Sequence, residues 1–116
     1  MSKARAAQAP RPGAAAPVFA ALGDATRLRL VSSLGAGGPL SLTRLSAGAG
    51  VTRQAVRKHL QVLEDAGLAA SRWRGRERIW ELKPRQLQAA TSYLHAVSAQ
   101  WDSALLKLKA FVERDR

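Results

Sequence analysis

The sequence predicts a mainly helical domain with a small β-hairpin, an α+β fold in which four helices precede the hairpin and one long helix follows it. Apolar residues recur at intervals of three and four before residue 67 and again after residue 84, which is typical of amphipathic helices. Between these regions the period becomes that of strands, and Arg-Gly-Arg at 74–76 separates the two strand-like segments. Capping residues and glycines divide the helical part into separate helices.

The length and charge of the chain limit what kind of protein it can be. The 116 residues suit one domain, and a hydrophobic share of 47% is ordinary for a folded protein. The charge is unusual, because 19 Lys and Arg against 8 Asp and Glu give +11. Such a surface attracts polyanions, since neutralising phosphates releases their counterions. Composition therefore favours a nucleic-acid partner over a merely basic surface, but it does not separate DNA from RNA or anionic lipid.

Several classes of protein are excluded by what the sequence lacks. It has no cysteine, so disulfides, thiolate metal ligands and cysteine nucleophiles are ruled out. Prolines interrupt the N-terminal region, so no signal peptide is predicted, and no run of about 18 apolar residues predicts a membrane span. We expect a cytoplasmic protein associated with the nucleoid and without a membrane partner.

The N-terminal region divides into a tail and the start of the domain. Residues 1–16 hold Ala, Pro, Gly and three cations without an acid, so we expect a disordered basic tail before a domain over 17–116. Pro17 suits the first position of a short helix that contains Phe19 and Leu22.

Two further helices are predicted before residue 50. Asp24 is expected to cap the second helix, which the glycine-rich sequence at 35–39 ends. Ser41 is expected to cap a third, short helix over 42–47. The apolar residues of the second helix that fall at helical spacing are Leu28, Leu30, Val31 and Leu34.

The fourth helix has two contrasting faces. It is predicted from its cap Thr52 to about Ala66, with Gly67 after it. One face forms an apolar stripe of Val56, Leu60 and Leu63. The opposite face carries Arg53, Gln54, Arg57, Lys58 and Gln61. A short turn followed by a helix with a cationic, amide-bearing face is the helix-turn-helix pattern.

A β-hairpin is predicted from strands at 68–73 and 77–82, with Gly75 in the turn. The segment around its tip, residues 72–78, holds one acid, Glu77, and four arginines, Arg72, Arg74, Arg76 and Arg78. Guanidinium groups so placed can contact phosphates or enter a narrow minor groove, and the alternative is a solvated edge that charge protects from pairing. Core packing of the hairpin or of a dimer interface is predicted for Trp73, Trp80 and Trp101, with base stacking on single strands as the alternative.

The last helix is predicted over about 84–114, with Pro84 at its first position. Its apolar stripe comprises Leu87, Ala90, Leu94, Val97, Trp101, Leu105, Leu108 and Val112. At about 1.5 Å per residue it extends roughly 40 Å, further than the preceding domain can cover. Part of the stripe is therefore expected to meet a second copy, and packing wholly within one chain is the alternative.

These residues resemble those of the ArsR family of winged helix-turn-helix repressors. Three blocks match the family in its order, namely 21–30, 52–60 and 63–68. The resemblance implies a dimer formed by the first and last helices, a recognition helix in the major groove, and the hairpin as a wing beside the phosphate backbone or minor groove. The dimer interface expected on this basis comprises Phe19, Leu22, Leu87, Leu94, Val97, Trp101, Leu105 and Leu108.

The chain departs from the metal-sensing members of that family. Its third helix has neither thiol nor carboxylate, and the last helix offers His95 and Asp102 without a second histidine after them. No metal site and no cofactor are predicted, and a small-molecule or protein effector is left open.

The recognition helix carries the predicted DNA contacts. Arginine can pair with guanine and glutamine with adenine in the major groove, and the first-turn amides can accept a phosphate oxygen. His59 is expected at the edge of this face, as a packed or phosphate-touching imidazole rather than a metal ligand. The predicted set is Thr52, Arg53, Gln54, Arg57, Lys58 and His59.

The function predicted from the sequence is a sequence-specific regulator of transcription that binds double-stranded DNA, a homodimeric repressor on a two-fold operator. No catalytic constellation is present, and the glycine-rich loop lacks the Gly-Lys-Ser/Thr of a P-loop, so an enzyme is not expected. One alternative is an architectural nucleoid protein with little sequence preference. Another is that the last helix chiefly recruits a protein partner.

Overall fold

The structure, a computed structural model, describes residues 9–114. Residues 1–8 of the predicted tail lie outside the described residues. The elements, in chain order, are α1 (Ala15–Leu22), α2 (Ala25–Gly37), β1 (Leu40–Ser41), α3 (Leu42–Ser46), α4 (Arg53–Asp65), β2 (Ala69–Arg74), β3 (Glu77–Leu82) and α5 (Pro84–Arg114). The predicted fold class, four helices before a hairpin and a long helix after it, is confirmed.

The sheet has three antiparallel strands in the order β1-β3-β2, one more than predicted. The added strand pairs Leu40 with Trp80 and Ser41 with Ile79. With two residues, it is too short to show the alternation by which strands are recognised. At the hairpin turn, Gly75 has φ of 65°, a conformation that glycine adopts without steric cost.

The core is built around α4. Its predicted stripe of Val56, Leu60 and Leu63 is completely buried, which confirms that prediction. Trp80 of β3 is also completely buried, and α2 adds Leu30 and Leu34 to the same cluster. Because these side chains hold one side of α4 against the sheet and α2, its other side is left facing outward.

The ends of the first two helices differ from prediction. Helix α1 begins at Ala15, which is buried, so Pro17 is not its first residue and residues 15 and 16 belong to the helix. Helix α2 continues through the glycine-rich sequence to Gly37, and Gly38, with φ of 72°, follows it. Of the apolar residues in α2, Leu30 and Leu34 are buried, whereas Leu28 is 51% exposed.

The three predicted helix caps are confirmed. Asp24 Oδ2 accepts the backbone N–H of Arg27 at 3.0 Å, and Thr52 Oγ1 accepts that of Ala55 at the same distance. Ser41 Oγ likewise accepts the N–H of Arg44 at 3.1 Å. The hydrogen bond from the Arg27 amide, aided by the positive charge of the Arg27 side chain, lowers the pKa of Asp24 below its ordinary value.

Helix α5 leaves the rest of the fold part-way along its length. Near its start Ala90 is buried, and Tyr93 meets Phe19 of α1 edge to face with ring centroids 5.9 Å apart. From Ser98 to Arg114 every residue is exposed. No helix among the described residues is long and apolar enough to span a membrane.

Candidate nucleic-acid interface

The outward face of α4 carries most of the predicted recognition residues. Their side chains are all exposed, at Thr52, Arg53, Gln54, Arg57 and Lys58. Because Thr52 caps α4, its side chain lies at the start of the helix, where the first backbone N–H groups have no partner within the helix. This end of the helix therefore combines cations, an amide and free backbone donors, all of which can bind phosphate oxygens or base edges.

His59 is turned away from that face. Its Nδ1 accepts a hydrogen bond from Arg27 Nη1 at 3.0 Å, and Nδ1 lies 3.8 Å from Asp24 Oδ2. Arg27 Nε also donates to the carbonyl of Ala21 at 2.5 Å. The imidazole thus fastens α4 to the junction of α1 and α2, the packed alternative that the sequence had left open. This contact also gives Arg27 a structural role, which its sequence position did not reveal because its partner is 32 residues away.

The register of the hairpin sorts its arginines onto two faces. Residues opposite each other on antiparallel strands share a face, as do residues two apart. Since Ser71 pairs with Trp80 and Trp73 with Arg78, these four side chains lie on the side of the buried core. Arg72 and Arg74 lie on the outer side, and Arg76 is in the turn.

Arg78 connects the hairpin to α4. Its Nε donates to Ser71 Oγ at 3.0 Å, and its Nη2 lies 3.5 Å from Glu64 Oε1. The guanidinium carbon also lies 4.6 Å from the ring centroid of Trp80. The contact with Glu64 joins the hairpin to α4, and the contacts with Ser71 and Trp80 hold the guanidinium against the hairpin, a role that the sequence did not predict.

The other hairpin arginines differ in how they are engaged. Arg72 pairs loosely with Glu81 at 3.6 Å on the outer face. Arg74 and Arg76 are exposed, and neither forms an ion pair within residues 9–114. The tip of the hairpin is therefore its most available positive charge.

Trp73 contradicts the predicted core packing, since it is 68% exposed. It borders an open groove of about 460 Å³ between α4 and the hairpin. The residues that line this groove are Leu42, Arg53, Gln54, Arg57, Trp73, Arg76 and Arg78. Four of these seven are arginines and none is acidic, so the groove suits an anionic ligand.

The predicted dimer residues fall into two groups. Phe19, Leu22 and Leu87 are half-buried against the core of the same chain. Val97 is also half-buried, and the remaining four, which are at least half exposed, are Leu94, Trp101, Leu105 and Leu108. Beyond the predicted set, Leu106 and Phe111 are exposed on the same part of α5.

Comparison with known proteins identifies the class. Residues 22–72 match the family described as a helix-turn-helix domain. YuzN of Bacillus subtilis, an HTH-type transcriptional regulator, is 41% identical over 53% of this chain and 74% of its own length. An ArsR-like transcriptional regulator from Rhodococcus sp. RHA1 is 34% identical, with a TM-score of 0.70 over 85% of this chain and 92% of that one. The crystal structure of another ArsR family regulator has a TM-score of 0.72 and 26% sequence identity, over 83% of this chain and 98% of that one.

The fold and the matched residues define a DNA-binding transcriptional regulator with a winged helix-turn-helix, and not an enzyme. More particularly, the chain belongs to the ArsR family of these regulators, as the sequence resemblance predicted. The absence of cysteine fits a member that does not sense metals through thiolates.

Proposed function

We propose that the protein is a homodimeric repressor that binds a two-fold operator in duplex DNA through the outer face of α4 and the hairpin. The observation that carries this proposal is the separation of the two faces of α4. Its stripe is completely buried, while Arg53, Gln54, Arg57 and Lys58 are exposed beside a groove without acidic residues.

The roles follow from the chemistry of each group. Arg53, Gln54 and Arg57, in the first turns of the helix, are suited to base edges in the major groove, where arginine pairs with guanine and glutamine with adenine. Thr52 and the first-turn amides would bind a phosphate at the helix N-terminus. In the hairpin, Arg74 and Arg76 would contact the backbone or minor groove. Arg78 is half-buried and paired with Glu64, so it would contribute mainly by positioning, whereas Arg72 is exposed and only loosely paired with Glu81, and would also contact the phosphate backbone.

Dimerisation would use the second half of α5. Its stripe continues from the buried Ala90 into side chains that the same chain does not cover, and residues 98–114 project from the domain. A second copy of the chain fits this surface, because it carries the same apolar stripe at the same spacing. A two-fold axis would bring the stripes of the two copies against each other. Two recognition helices would then face half-sites about one helical turn apart, about 34 Å, and a bound dimer would block a promoter.

The test begins with selection of bound duplexes from a random pool, since sequencing them reports both preference and half-site spacing. Binding of the selected duplex is then compared for the wild type and Arg57→Ala/Lys58→Ala at fixed salt. We expect the double variant to bind at least about 100-fold more weakly, because two groups of the DNA face are lost. Light scattering should still find a dimer.

The matched control is Arg85→Ala/Lys107→Ala, which removes two exposed cations from α5. It should bind nearly as the wild type does. Normal binding by the α4 variant would place the recognition surface elsewhere. Equal affinity for selected and random duplexes at about 200 mM salt would instead support an architectural protein, whose binding is almost wholly electrostatic.

A further inference from the structure

We propose that Trp73 is a DNA contact of this protein, an uncharged one that packs on the apolar surface of one strand of the duplex in the groove between α4 and the hairpin. The apolar surface of a DNA strand consists of its deoxyribose rings and the methyl groups of thymine. This inference rests on the proposed DNA binding and adds to it a residue whose contribution does not depend on charge.

The first observation is where Trp73 points. Through its pairing with Arg78, it shares a face of the hairpin with Trp80, which is completely buried. A large aromatic side chain on the core side of a sheet is normally covered. Trp73 is not covered, because it lies two rungs of the ladder further from the core, towards the turn, and is 68% exposed. The ring therefore overhangs the groove instead of completing the core.

The second observation is that the ring of Trp73 takes part in no aromatic or cation–π interaction among the described residues, although Trp80 has Arg78 above it. So exposed a side chain gains little hydrophobic free energy on folding. The ring gains that free energy only when something with an apolar surface enters the groove.

The third observation is the composition of the groove. Arg53, Arg57 and Arg76 line the groove together with Trp73, and within the described chain none of the three forms an ion pair with an acid. A ligand that satisfies these arginines is anionic, and a ligand that covers the indole has apolar surface. A DNA strand offers both at alternate points along its length, phosphates for the guanidinium groups and sugars or thymine methyls for the ring.

The position of the groove favours DNA over a second copy of the chain. The groove opens beside the exposed first turns of α4, at Arg53 and Gln54. The surface proposed for dimerisation lies on α5, at residues 94–112, and contributes no residue to this groove. A strand at the rim of the major groove that α4 enters would therefore run between α4 and the hairpin, across Trp73.

The inference is tested by the salt dependence of binding to the selected duplex. Removing an apolar contact should weaken binding equally at every salt concentration, whereas removing a phosphate contact should reduce the slope of log K against log salt by about one. We expect Trp73→Ala to bind about tenfold more weakly with an unchanged slope, as truncated aromatic contacts commonly do. Arg76→Ala is the matched variant on the same groove and should show the reduced slope.

A second measurement excludes a purely structural effect of Trp73→Ala. Fluorine NMR of the full chain carrying 5-fluorotryptophan gives one signal for each of its three tryptophans, and Trp73→Phe assigns the signal of Trp73. Adding the duplex should shift that signal more than the signal of buried Trp80. Repeating the titration with uracil in place of thymine identifies the surface touched, because loss of affinity for wild type but not for Trp73→Ala indicates the methyl groups and no loss indicates the sugars.

Three results would overturn the inference. They are wild-type affinity of Trp73→Ala, a Trp73 signal that the duplex does not move, and a shift produced by single strands at lower concentration than by the duplex. Each of these leaves the proposed function standing if Arg57→Ala/Lys58→Ala still loses binding. If that double variant binds normally, the proposed function itself fails.

Discussion

Helices α4 and α5 carry the same kind of apolar stripe, but its surroundings differ completely. In α4 the stripe residues Val56, Leu60 and Leu63 are each 0% exposed. In the second half of α5, Trp101, Leu105 and Leu108 are 64%, 55% and 59% exposed. The stripe of α4 is covered by its own chain, whereas that of α5 is exposed, and it is there that the proposed second copy would pack.

The comparison teaches what a periodic pattern can and cannot establish. Spacing of three and four predicts that a stripe is buried, but not which molecule buries it. In α4 burial within the chain fixes the orientation of the helix and so frees a defined polar face for DNA. In α5 several exposed apolar side chains follow one another along a single stripe, and contiguous apolar surface of this kind is typical of an interface.

The largest effect on the difference between the two helices is expected for Leu60→Ala in α4, which truncates a residue of the buried stripe. Because Leu60 is completely buried, we expect the free energy of unfolding to fall by about 3 kcal/mol through lost burial and an unfilled cavity. Urea denaturation followed by circular dichroism measures it. The loss should persist at all protein concentrations, and a loss below about 1 kcal/mol would mean that α4 is not the centre of the core.

The counterpart in α5 is Leu108→Glu. A charge placed in a two-fold interface meets its own copy, so we expect the dimer Kd to rise by at least about 100-fold while the secondary structure stays intact. Analytical ultracentrifugation at several concentrations gives the Kd. Ser103→Glu adds the same charge on the other side of α5 and should leave the dimer unchanged. Equal behaviour of the two variants would remove α5 from the interface.

A smaller effect is expected for Arg78→Ala in the hairpin. It removes the contacts with Ser71 and Glu64, so the free energy of unfolding should fall by about 1–2 kcal/mol. Arg74→Ala, on the outer face without an ion pair in the described chain, should change it by no more than about 0.5 kcal/mol. Thermal and urea unfolding compare the two. If Arg74→Ala is the more destabilising, Arg78 does not stabilise the contact between the hairpin and α4.

The smallest effect concerns the cap of α2. The pKa of Asp24 is lowered in the folded protein, chiefly by the Arg27 amide, so ionised Asp24 stabilises the fold above its ordinary pKa of 3.8. That stabilisation disappears as the pH falls through the lower, folded value. Asp24→Asn keeps a capping oxygen without titrating, so its unfolding free energy should fall less steeply than that of the wild type between about pH 5 and 3. Parallel curves would exclude Asp24 as a source of the acid sensitivity.

The sequence predicted the parts of the site that local rules control. Helix period and a capping threonine were enough to place Arg53, Gln54, Arg57 and Lys58 on one exposed face of α4. Helix period and a proline suited to a first helical position also placed the start of α5 at Pro84 correctly. These features depend on residues within a turn or two of one another, so the chain need not be folded to find them.

What the sequence missed depends on contacts between distant residues. His59 meets Arg27 across 32 positions, and Arg78 reaches back to Glu64. Trp73 shows the same limit, because strand alternation places it on the inner face of the hairpin, but only the packed structure shows that α4 stops short of covering it. The one signal in the sequence was the position of Trp73 close to the turn. Its partner Arg78 lies two residues from Trp80 on the side of the turn, which places Trp73 further from the core.

Amide chemical-shift mapping of the full chain with the selected duplex tests most directly whether the outer face of α4 and the hairpin tip bind DNA. The account predicts the largest changes at residues 52–58 and 73–77, with little change at residues 98–114. Changes confined to α5, with 52–58 unaffected at saturating DNA, would contradict it.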